Sequence, residues 1–154
     1  MLKWENYRHK NVVGQDCHLV AVVNAYSYLT GKLISEQEYE EFVDLSGCRY
    51  GTVIKIEPVL DRLGMRVEEQ NDLLCGLKDI EKSLPLQIVV WHPRYGFHGV
   101  LVIDYEGKTD SYRVLNFDRE ATSSGWIYGE KLMIFNYACD KNMRKIEAYK
   151  MRGG

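Results

Sequence analysis

No stretch of the chain approaches the ~20 consecutive apolar residues that a membrane-spanning helix needs. The longest apolar runs, such as LQIVVW and GVLVIDY, are far shorter, so no membrane contact is expected. The N-terminal MLKWENYRHK is charged and aromatic and lacks an apolar segment followed by a cleavage site, which favours a cytoplasmic location. Cys17, Cys48, Cys75 and Cys139 contain no C-x-x-C pair and match no zinc spacing. Free thiols are then the default, and no metal or other cofactor is implied. An excess of charge of one sign is also missing. The formal net charge is -2, which gives no general attraction to nucleic acid.

The one basic cluster, KNMRKIEAYKMR, alternates with acidic and apolar residues and reads as a solvated helix or a peripheral contact strip. Internal repeats, low-complexity tracts and linkers are absent too. The expectation is one domain over residues 1–154, with a core at about 11–137 and an extension over 138–154. With 154 residues, 45% hydrophobic and 27% charged, the chain can bury a working core without staples.

Apolar periodicity predicts a buried helix from Cys17 to about Leu29, stopped by Gly31. Ser35 with Glu38 three residues later is a capping-box pattern that opens a second helix through SEQEYEEFVDL. A third helix is predicted over Glu57 to Leu63, with Pro58 in its first turn and Gly64 at its end. MRVEE reads as a short strand and LKDIEKSL as a short helix. Beyond Pro85 the period changes. LQIVVW, GFHGVLVIDYE, DSYRVLNF and KLMIFNYA are strand-like, with EGKTDS as the turn between the second and third. Helices first and a mostly antiparallel sheet second make an α+β chain.

Cys17 is the residue that asks for an explanation, because it stands where a polar run becomes a long apolar helix. Unpaired N–H groups and the positive end of the helix dipole favour a thiolate there. Position alone also admits Cys17 as a small apolar residue packed at a helix start. Of the four histidines, His9 and His18 lie beside this entrance, and His92 is next to Pro93. His98 opens the strand HGVLVIDY between Gly96 and Gly99, where a general base at a sheet end can reach a substrate. A hairpin of HGVLVIDYE with DSYRVLNFD brings Asn116 or Asp118 toward His98. Such an amide or carboxylate orients an imidazole as the third member of a triad does.

In this order, cysteine on a buried helix, histidine at a strand start and Asn/Asp on the next strand, the sequence resembles papain-like cysteine peptidases. It is most similar to the bacteriocin-processing, or double-glycine, family. QDCHLVAVVNAYSYLTG corresponds to that family's D-C-G-x-A helix, GTVIKIEPVLDRLGM to its G-[ST]…L-G segment, and HGVLVIDYEGKTDSYRVLNFD to its H-x-V-V-V…D-P end. The segment between them, MRVEEQNDLLCGLKDIEKSLPLQIVV, corresponds to its strand and helix ending in LP.

The resemblance implies a papain-like fold and a cysteine peptidase acting on a protein or peptide substrate. The implied triad is Cys17, His98 and Asn116, with Asp118 as alternative orienter. The oxyanion donor is Asn11, which lies six residues before the cysteine, or Gln15, two before it. The sequence departs from the family where His18 replaces the glycine after the nucleophile, crowding the oxyanion region, and where Phe117 replaces the proline. Two alternatives stay open on the same fold: an acyltransferase or transglutaminase-type reaction, and a non-catalytic binding module. Gly153-Gly154 reads as a flexible tail, or as the product end of a cut after paired glycines. Nothing in the sequence sets the oligomeric state.

Overall fold

An amide N–H in a helix interior bonds four residues back, so a segment apolar on every side can be helical only if its whole surface is covered by other elements. The computed structural model, which describes residues 16–50, 53, 55–69, 85–92, 96–115, 125–128 and 148–153, does this with the first helix. α1 spans Cys17–Thr30 and buries Leu19 through Ala25 together with Ser27. At about 1.5–3 kcal/mol for each fully buried Val or Leu side chain, this helix is the main apolar contributor to the core. It ends at Gly31, whose φ of 70° lies in the left-handed region that glycine enters without steric cost.

α2 spans Glu36–Ser46. Ser35 Oγ accepts the Glu38 N–H at 3.1 Å and donates to the Glu38 carboxylate at 3.3 Å. This closes the serine–glutamate cap that the spacing predicts. Tyr39, Phe42 and Val43, at helical spacing, form its buried face. A short 3-10 turn over Cys48–Tyr50 follows. α3 spans Glu57–Leu63, with proline in its first turn and Gly64 at its end.

Among the described residues six strands follow: β1 Met65–Glu69, β2 Leu86–His92, β3 Gly96–Glu106, β4 Ser111–Leu115, β5 Gly125–Tyr128 and β6 Ala148–Gly153. They form a single sheet in the order β1-β6-β2-β3-β4-β5, and each neighbouring pair is antiparallel. The chain is therefore a mixed structure of helices and antiparallel sheet. β3 and β4 form the expected hairpin, with Glu106 opposite Ser111.

α1 lies on one face of this sheet. Leu101, Ile103 and Leu115 join Leu19, Val20 and Val23 in one core with Tyr39, Phe42 and Val59. Val100, Val102 and Val114 are buried as well but lie outside that core. This is the alternation a pleated strand imposes.

The reading of the basic C-terminal segment as a solvated helix or peripheral strip is corrected for its described part, and residues 141–147 lie outside the described residues. Ala148–Gly153 is a strand, and it sits inside the sheet between β1 and β2. Gly153 is its last residue and stands opposite Met65, so it is not part of a free tail. The physical reason is visible in AYKMRG, where charge recurs every second residue, the period of a strand. Lys150 stands at the register position opposite Glu68. β5 is not anticipated from the sequence, because four residues are too few to display a period. The helix expected in LKDIEKSL and the strand expected in KLMIFNYA lie outside the described residues.

Candidate active site

The entrance of α1 is built by a buried carboxylate that does not cap it. Asp16 occupies the N-cap position without a side-chain bond to the helix. Its Oδ2 accepts the Tyr39 hydroxyl at 2.5 Å instead, and the residue is fully buried. Burial first, then the neighbouring Asp16 charge, push the Tyr39 phenol well above its ordinary range. It therefore remains an O–H donor at neutral pH. This bond ties the mouth of α1 to α2 and holds the carboxylate away from the helix N–H groups.

That residue is Cys17, partly exposed. Its Sγ accepts the Gly99 N–H of β3 at 3.4 Å, across 82 positions of sequence. Cys17 thus meets β3 at the residue that follows His98.

The pleat distributes the neighbouring side chains. Gln87 pairs with Leu101, and Leu101 belongs to the core beneath α1. Gln87, Gly99 and Leu101 therefore share the face toward α1, and His98 shares the opposite face with Val100 and Val102. His98 is fully buried there. Asn116 and Asp118 follow the last described residue of β4 and lie outside the described residues, as do Asn11 and Gln15.

Sequence reasoning misses Gln87, although it is the one polar residue in LQIVV, and a polar residue inside an apolar strand is the signal that could have found it. It is nearly fully buried. Its Oε1 lies 2.6 Å from His18 Nδ1. A carboxamide oxygen only accepts, so Nδ1 carries the proton. Burial lowers the His18 pKa, and the Gln87 bond and the Glu57 charge oppose this more weakly; the ring is neutral at neutral pH.

The other end of the amide lies over Gly99. A Cβ on Gly99 would fall 2.7 Å from Gln87 Nε2 and 3.6 Å from Cys17 Sγ. Glycine at 99 is what lets the amide and the thiol approach the same point above the strand. His18, which in the sequence merely crowds the site, is a partner of this buried amide.

Among the described residues no group of three or more His, Cys, Asp or Glu side chains is placed to hold a metal ion. No described helix is long and apolar enough to cross a membrane.

No protein-family model matches the chain, and no curated protein matches it. Among solved structures, it is similar to the N-terminal peptidase C39-like domain of the toxin secretion ATP-binding protein from Vibrio parahaemolyticus. The TM-score is 0.46 and the identity 14%, over 87% of this chain and 97% of that one.

Proposed function

We propose that the chain is a papain-like thiol hydrolase that cleaves peptide or amide bonds. The observation that carries this reading is the contact between Cys17 Sγ and the Gly99 N–H at 3.4 Å. It sets a partly exposed thiol at the uncapped start of a buried helix against the strand residue next to His98. In the proposed reaction the Cys17 thiolate attacks the carbonyl carbon, and the carbonyl electron pair moves onto oxygen. Asn11 or Gln15 donates to that oxyanion. His98, oriented by Asn116 or by Asp118, gives its proton to the leaving amine, then removes one from the water that hydrolyses the thioester.

The test is hydrolysis of a peptide library followed by mass spectrometry, comparing the wild type with Cys17→Ala and His98→Gln. The reading predicts cleavage that both substitutions abolish. Addition of a free amine separates hydrolysis from acyl transfer by the mass of the product.

A second reading, a non-catalytic module that binds peptides on the same scaffold, has its own support. The alternation of β3 sends His98 to the face opposite Gly99, and the imidazole bonded on the Cys17 side is that of His18. This reading predicts no cleavage by the wild type, and peptide binding that Cys17→Ala leaves unchanged.

A further inference from the structure

We propose that Gln87 is a catalytic residue whose amide N–H donates to the oxyanion formed at Cys17, and that His18 is the positioning residue that holds this amide in place. The inference rests on the thiol-hydrolase reading above and extends it to two residues of β2 and α1.

Three observations converge on it. Gln87 is nearly fully buried, and burying a carboxamide is costly unless its groups are bonded. Its oxygen is committed to His18 Nδ1 at 2.6 Å. With the oxygen held, the planarity of the amide fixes the direction of Nε2, which lies over the bare Cα of Gly99. The space a Cβ would take there is within 3.6 Å of Cys17 Sγ, beside the thiol where an attacked carbonyl oxygen comes to rest. A donor already aimed at the developing charge in a buried site needs no reorganisation when the charge appears. The ring that holds it is neutral in its Nδ1–H form and so keeps donating to Oε1 at neutral pH. A histidine after the nucleophile and a glycine after His98 then become parts of one device: the first orients the amide, and the second makes room for it.

The step involved is the first one. A C–S bond forms, the carbonyl π pair becomes the oxyanion held by Gln87, and its return expels the leaving group. Alkylation of the same thiol by iodoacetamide displaces iodide at a saturated carbon and forms no oxyanion. Acylation by p-nitrophenyl acetate forms one and expels p-nitrophenolate. Comparing the two reactions at Cys17, by mass spectrometry of the full-length protein and its peptides, therefore isolates the oxyanion donor from general access to the thiol.

In Gln87→Met, which keeps length but has no donor, acylation of Cys17 falls ~10²–10³-fold while alkylation changes by no more than about two-fold. Gly99→Ala displaces the amide with Gln87 still present and gives the same split. His18→Leu lowers acylation, and His18→Asn, which returns a donor to the Nδ1 position, restores most of it. Thermal melts of each variant verify folding. Acylation unchanged in both Gln87→Met and Gly99→Ala overturns the proposal, as does an equal fall of the two reactions in both variants, which is the signature of a structural role. Wild-type Cys17 inert to both reagents overturns the thiol-hydrolase reading itself, and this inference with it.

Discussion

Cys17 and Cys48 are the same residue in two surroundings. Cys48, just past the end of α2, is fully buried. Its sulfur lies 3.3 Å from Ser46 Oγ and 3.9 Å from the Val43 carbonyl oxygen. Burial pushes its thiol up, more strongly than the Ser46 bond brings it down. Cys17 stands at the start of a helix, is partly exposed and is met by a backbone N–H from a distant strand. The bonds of Cys48 are local and keep a neutral thiol in the core. The Cys17 contact is long-range and brings a donor to sulfur. Position, more than residue type, decides how exposed each thiol is and what meets its sulfur.

The largest effect that follows is kinetic. In the native protein iodoacetamide is expected to modify Cys17 ~10²-fold or more faster than Cys48, because Cys48 reacts only after local opening. Time-resolved peptide mapping measures the ratio, and similar rates would show that the two thiols are equally accessible. Cys17→Ala is expected to abolish peptide cleavage with little change in melting temperature. Cys48→Ala is expected to cost roughly 1–2 kcal/mol of stability, the loss of a small buried group, with cleavage retained.

Tyr39→Phe removes the hydroxyl donor from the buried Asp16 carboxylate. The expected cost is about 1.5–3 kcal/mol, read by denaturant unfolding, with the loss concentrated at the mouth of α1.

The smallest effect concerns pH. Burial holds the folded-state pKa of His18 below the ordinary histidine value of 6.5, so the unfolded chain binds more protons in the window just below that value. Stability contributed by the neutral ring is complete above pH 6.5 and falls as the pH drops below it. Melting temperatures followed from pH 7 to pH 5 should therefore decline less in His18→Gln than in the wild type. A steeper decline in the variant contradicts the assignment.

Much of the helical part is legible in the sequence because each signal is local. The 3.6-residue period marks α1, the serine–glutamate spacing marks the start of α2, and glycine marks the end of each helix. β3 is legible from end to end, since its β-branched run is bracketed by Gly96 and the turn that begins at Gly107. What escapes is set by pairing across distance. β6 carries charge at alternate positions and lies inside the sheet only because β1 and β2 flank it. Gln87 gains its meaning from His18, 69 positions away, and from the face it shares with Gly99. Asp16 looks like an ordinary cap beside Cys17, yet its carboxylate is turned to Tyr39, 23 positions on. The histidine most conspicuous in the strand pattern, His98, shares the face of Val100 and Val102. The one written off as crowding, His18, is bonded beside the thiol. A period in the sequence tells which residues share a face, but not which other element covers it.

Trapping an acyl-enzyme tests directly whether Cys17 is a nucleophile. Full-length protein is mixed with a peptide ester substrate, quenched with acid and mapped by mass spectrometry. The expected result is an acyl group on Cys17 and none on Cys48, released by hydroxylamine as a thioester is and strongly reduced in His98→Gln. Failure of the wild type to form an adduct at Cys17, or an adduct equally abundant in His98→Gln, contradicts it.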